Sequence, residues 1–307
     1  MTDTTRFHGI YPSIICPLRA DYSVDEAALA KHVAELCKVP GIVGILCNGH
    51  AGENAWLDRA ELRQVLAVTR EAAGGKLVVA GINHESSLAG AELARDAEAE
   101  RADAVMVFAP YSWALGQDEQ MAVAHHRLVR DATGLPMMLF QGSVRSGRVA
   151  YTASVLTELA RLPGVVAIKE GSWETAAYEA TRRILAEAAP HVAVMASGDE
   201  HLLTCFVLGS EGSLVSLAVL IPELIVALDQ AVRRNDLIAA QQAHRVIQPL
   251  ANAIYGTPPG VYAAARLKTC LKILGRLHGD LMRPPLSALG RDEVARLERA
   301  LSGAGLH

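Results

Sequence analysis

The segment VVAIKEGS, residues 165–172, decides how this chain is read: four apolar residues run straight into Lys169 and Glu170, and Gly171 ends the run. A short run that is apolar on both faces suits a strand of a parallel sheet covered by helices, not a sheet with one wet face. Runs of the same kind recur on either side. They are YPSIICPL (11–18), GIVGILCNG (41–49), KLVVAGI (76–82), ADAVMVFAP (102–110), LPMMLFQG (135–142), VAVMASGD (192–199) and GSLVSL (212–217). Amphipathic stretches fill the gaps. Ser23 with Glu26, and Asp58 with Glu61, have the spacing of capping boxes. Behind them Leu29, Val33, Leu36 and Cys37, and then Leu62, Val65 and Leu66, fall on one helical face. Eight strands alternating with helices predict an α/β fold, a (β/α)8 TIM barrel over residues 1–225. From about residue 221 the pattern is helical only, broken at Gly256–Gly260 and at Arg283-Pro284-Pro285. This predicts a C-terminal helical extension, 226–307, packed on the barrel. The competing doubly wound sheet would want a glycine-rich phosphate loop after an early strand, and no GxGxxG or P-loop lysine motif occurs.

Composition narrows the function. With 307 residues and 51% hydrophobic content, the chain has ample material for one large core. A net charge of -4 without blocks of like charge argues against nucleic acid as a partner. No apolar run is long enough to predict a membrane span, and MTDTTRFHGIYPS lacks the shape of a secretory signal. The cysteines Cys16, Cys37, Cys47, Cys205 and Cys270 are scattered and odd in number, which predicts core thiols in a reducing cytoplasm. The histidines show no metal-ligand spacing, so no metal is expected. His125 and His126 are adjacent on a helix and cannot share a face, so surface or packing roles are expected. A metal-dependent barrel hydrolase is disfavoured for the same lack of ligands at strand ends.

In a barrel of this kind the chemistry gathers at the C-terminal ends of the strands. Lys169 stands there, at the end of a run that should be buried. Burial disfavours the ammonium form and frees the amine as a nucleophile toward a carbonyl. Pairing with a carboxylate such as Glu170 or Asp199 is the other reading of its position, and position alone leaves both open.

A resemblance favours the nucleophile. Gly49-His50-Ala51-Gly52-Glu53 follows the second strand and Pro110-Tyr111 the fourth; Arg145-Ser146-Gly147 follows the fifth. Ile168-Lys169-Glu170 and Ser197-Gly198-Asp199 mark the sixth and seventh. In this order and spacing, from about residue 8 to 303, the chain resembles the dihydrodipicolinate synthase and N-acetylneuraminate lyase family of class I aldolases. The resemblance implies a Schiff base between Lys169 and pyruvate or a larger 2-oxo acid, with an enamine at C3 open to aldol cleavage, condensation or dehydration. It implies contact with substrate through Gly49, Ala51, Tyr111, Phe140, Arg145, Gly198 and Leu214, with Arg145 holding a distal carboxylate. It also implies no metal or cofactor, and a homotetramer built as a dimer of dimers. The cluster Tyr111, Trp113 and Leu115, on a loop that should otherwise be exposed, supports assembly.

The chain departs from that pattern where protons move. The family's strand-five tyrosine is Phe140 here, which has nothing to ionise. The two hydroxyl residues usual in the strand-two loop are His50 and Ala51. The family's second aromatic after Pro-Tyr is Ser112 here. The lysine-biosynthetic reaction is therefore not expected. His50, whose side-chain type titrates near neutrality, becomes the candidate acid/base, against a plain packing role in a remodelled loop. Glu53 is expected to brace that loop, and Asp199 and Glu200 to hold backbone amides. A catalytically altered paralogue that binds an oxo acid without turnover is the alternative.

Overall fold

The computed structural model describes residues 5–144 and 149–306. Eight parallel strands run in the order β1-β8-β7-β6-β5-β4-β3-β2. They are β1 (Gly9–Pro12), β2 (Gly44–Cys47), β3 (Leu77–Ile82), β4 (Ala104–Val107), β5 (Met137–Gln141), β6 (Val165–Glu170), β7 (Ala193–Ala196) and β8 (Gly212–Val215). Bridges from Ile10 to Ile42 and from Ser13 to Leu46 join β1 to the β2 side and close the barrel. The first expected strand is misplaced: it begins at Gly9 and ends at Pro12, after which Ser13 and Ile14 still donate to the Val215 and Leu46 carbonyls at 3.1 and 3.0 Å. The buried residues Ile14, Ile15 and Cys16 continue as packed loop.

Helices α1 (Glu26–Lys38), α2 (Arg59–Ala72), α3 (Ser87–Ala99), α4 (Glu119–Asp131), α5 (Ala153–Ala160), α6 (Thr175–Ala188) and α7 (Leu202–Val207) alternate with the strands. Asp58 and Glu61 form the expected capping box at α2. At α1 the cap is Asp25, which accepts from the Ala28 N–H at 3.1 Å; Ser23 instead bonds to Asp21. Asp25 takes the role because the helix starts two residues later than the capping-box reading placed it. After β8 come α8 (Pro222–Arg233), α9 (Leu237–Tyr255), α10 (Ala263–Ile273) and α11 (Arg291–Gly303), with α9 packed on both α8 and α11. No helix of the described residues is long and apolar enough to cross a membrane.

Two layers of core follow from strand alternation. Leu46, Met106, Met138, Ala167, Met195 and Leu214 fill the barrel interior, whereas Ile45, Val105, Leu139, Ile168, Val194 and Val215 face the helices. The same parity carries Phe108, Phe140 and Lys169 toward the inside at the C-terminal end. It turns Glu170 outward, where Thr181 of α6 donates to its carboxylate at 3.3 Å.

His125 and His126 are buried, not on the surface. His126 Nε2 lies 2.8 Å from the Tyr151 hydroxyl, and His125 Nδ1 lies 2.9 Å from the Ser87 hydroxyl. Trp113 is also buried, its ring 5.5 Å from that of His125, so only Tyr111 and Leu115 of that loop cluster remain open to solvent.

Candidate active site

Register places Phe140 of β5 beside Lys169 of β6, and Lys169 beside Met195 of β7. Above this row lies a cavity of about 330 Å³. His50, Ala51, Tyr111, Phe140 and Lys169, all anticipated from sequence, line it. Gly49 and Gly198 are buried in the turns that shape its rim but do not line it. Leu214 is fully buried among the interior side chains of the barrel, below the cavity. Arg145 lies outside the described residues.

Lys169 is only 8% exposed. Burial pushes its pKa below the usual lysine range, and the charge of Asp199 restores part of the loss. Its ammonium nitrogen sits 5.7 Å from the centre of the Phe140 ring, a contact too distant to replace lost hydration. Asp199 suffers the same burial, which raises its carboxyl pKa, although it accepts the Leu217 N–H at 2.8 Å. It therefore holds a backbone amide, as expected, and also faces the lysine. Glu170 is not the lysine's partner: its carboxylate is bound to Ser172 at 3.0 Å and to Thr181.

The strand-two loop is held in an unusual shape. Asn48 and Glu53 adopt φ of 53° and 58°, the left-handed region, around the short turn His50–Gly52. Glu53 fixes the turn through an ion pair with Lys268 of α10, both side chains about 1% exposed. Lys268 also donates to the Leu281 carbonyl at 2.8 Å. The expected brace is real, and its partner sits in the C-terminal extension.

Held this way, His50 opens to solvent at the cavity while its ring rests in an aromatic collar. Ring centres lie 4.5 Å from Phe108, 5.6 Å from Tyr111 and 5.4 Å from Phe140. The collar strips water from the imidazolium and Lys169 repels it, so the His50 pKa falls below its ordinary value. Tyr111 is placed by its own loop: its N–H and that of Ser112 donate to the Glu85 carboxylate at 2.9 and 3.2 Å.

Several wall residues escaped sequence reading: Trp56, Trp173, Ser216, Tyr255 and the α10 residues Ala263, Ala264 and Leu267. Trp173 is held at φ 62°, which costs a residue with a Cβ about 1–2 kcal/mol. Its ring lies 5.3 Å from that of Tyr255. The Tyr255 hydroxyl is buried beside Asp199 and Ser216 but completes a well-formed hydrogen bond with neither.

Comparison with known proteins agrees over nearly the whole chain. Residues 6–304 match the model of the dihydrodipicolinate synthetase family. A 4-hydroxy-tetrahydrodipicolinate synthase from Methanothrix thermoacetophila is 30% identical over 96% of this chain and 96% of its own. One from Kineococcus radiotolerans is 31% identical over 98% and 94%. Among solved structures, a prophage protein of the dihydrodipicolinic acid synthase family from E. coli K12, solved with pyruvate, superposes with a TM-score of 0.89 at 24% identity, covering 98% of this chain and 99% of that one. The chain belongs to the dihydrodipicolinate synthetase family, and with it to the aldolase-type lyases.

Proposed function

We propose that the protein is a lyase that takes a 2-oxo acid as a Schiff base on Lys169. The observation that carries this is an amine on the inner face of the barrel, at the C-terminal end of β6, opening into a cavity and held where burial disfavours its charge. The neutral amine attacks the C2 carbonyl, and the carbinolamine loses water to give an imine. Protonated, that imine draws electrons from C3, so the C3–C4 bond breaks with loss of the C4 hydroxyl proton to a base. An enamine and an aldehyde result. Protonation at C3 and hydrolysis then release the shortened oxo acid and restore the amine. In the dehydratase branch the protonated imine instead loses a C3 proton, and the resulting enamine, its C3–C4 bond intact, expels the C4 hydroxyl as water.

His50 is the proposed proton acceptor in this scheme, since its neutral imidazole faces the same cavity as Lys169. The four buried cysteines and half-buried Cys37 are free thiols, which suits a cytoplasmic setting.

Borohydride added with pyruvate should fix an adduct on Lys169, read by mass spectrometry of the digested protein. A Lys169 left unmodified while pyruvate binds would remove the reading. An adduct formed without turnover of any oxo acid would support the altered paralogue, the reading that the phenyl ring of Phe140 favours.

A further inference from the structure

We propose that the group carried beyond C3 of the substrate is aromatic: a 2-oxo acid bearing an aryl ring at C4. The proposal rests on the Schiff-base reading of Lys169 and names the substrate class for that site. Five of the chain's fourteen Phe, Trp and Tyr residues wall this one cavity: Trp56, Tyr111, Phe140, Trp173 and Tyr255. His50 adds a sixth ring. Opposite them the wall is aliphatic, with Val261, Ala264 and Leu267.

Trp173 is the informative member. It follows Lys169 by four residues, on the loop that leaves β6, and its backbone holds the left-handed conformation that suits glycine. A bulky side chain in that conformation marks strain that the surroundings must maintain, and such strain gathers at ligand-holding positions. The indole lies between solvent and core, at the cavity, with its one ring partner, Tyr255, at 5.3 Å and tilted by 52°. Two rings splayed in this way leave room for a third to meet them edge to face.

A polyhydroxylated chain would need a hydrogen-bond partner for each hydroxyl. Apart from Lys169 and His50, which the chemistry uses, the polar groups that the described lining offers are Ser197, Ser216, Asp199 and the Tyr111 and Tyr255 hydroxyls. Asp199 already serves the Leu217 N–H. The rest of the described lining is mostly rings and aliphatic groups, which suit a flat apolar substituent.

Borohydride trapping on Lys169 reads this without requiring turnover. Three acids are compared: pyruvate, 2-oxo-4-phenylbutanoate and a six-carbon 2-oxo-3-deoxy sugar acid. The phenyl acid should half-saturate trapping at roughly a tenfold lower concentration than the sugar acid, the scale of one ring stacked and buried. Trp173→Gly, which the backbone conformation accommodates, should collapse that ratio, and Trp173→Phe should restore most of it. A sugar acid that traps as tightly as the phenyl acid overturns the proposal. So does a ratio that survives Trp173→Gly, or trapping by pyruvate alone. If pyruvate itself leaves no adduct, the Schiff-base reading fails first and takes this proposal with it.

Discussion

Replacing Lys268 by methionine should destabilise the protein by about 3–5 kcal/mol, the cost of leaving one member of a buried ion pair without its partner. The magnitude follows from the site: Glu53 and Lys268 are each about 1% exposed, so water cannot solvate the carboxylate left behind. The Arg283 N–H at 3.4 Å is the weak donor that remains to it. Removing both charges together, as Glu53→Gln with Lys268→Met, should recover most of the loss, since a pair of neutral groups of similar shape carries no stranded charge. Urea unfolding followed by circular dichroism gives both differences from the transition midpoints. The double variant should also keep more activity than Lys268→Met alone, because Glu53 holds the turn that presents His50. A Lys268→Met loss under 1 kcal/mol, or a double variant no more stable than the single, would show that the pair does not carry the strand-two loop.

His50→Gln should lower turnover by roughly a hundredfold or more while leaving the unfolding transition in place, the scale of a lost general base; steady-state kinetics on a cleavable 2-oxo acid decides it. Burial raises the Glu170 pKa to about 7, so its folded value stands above its unfolded one and its stabilising contribution is full below the unfolded value and lost as pH rises through about 7. Glu170→Gln should therefore raise Tm at pH 8 and leave it nearly unchanged at pH 4, as thermal scans at the two values would reveal. In solution the chain should assemble as a homotetramer, with Leu115, 94% exposed, and half-exposed Tyr111 covered by a neighbour; light scattering at micromolar concentration would contradict this with a monomer mass.

Much of the barrel is legible because strand alternation leaves a local signal. Ala167, Ile168 and Lys169 sit next to one another, and their inward or outward direction follows from counting. The lysine's setting and the strand-end residues Phe140 and Tyr111 could be read that way. The walls could not. Glu53 and Lys268 meet across 215 residues, and nothing in the helical stretch Arg266-Leu267-Lys268-Thr269-Cys270 distinguishes a buried lysine from a solvated one. Tyr255 enters at the last turn of α9, so its meeting with Trp173 depends on how the C-terminal helices pack. Trp173 did carry a local signal, a tryptophan four residues past the lysine where a loop should turn. Trp113 misled because an aromatic in a loop looks exposed, whereas His125 and His126 provide a pocket beneath it.

Phe140, His50 and Ala51 place ring faces and a methyl group at the cavity beside Lys169. His50 is clasped by three rings, at 4.5 to 5.6 Å, while remaining open to the cavity. The same collar lowers its pKa. Under the proposed function, a site with no hydroxyl at these three positions can still move a proton, provided its substrate brings the hydroxyl. In the cleavage scheme the C4 hydroxyl of the bound oxo acid is that group, and an aryl ring on the same carbon would seat it among the aromatic walls.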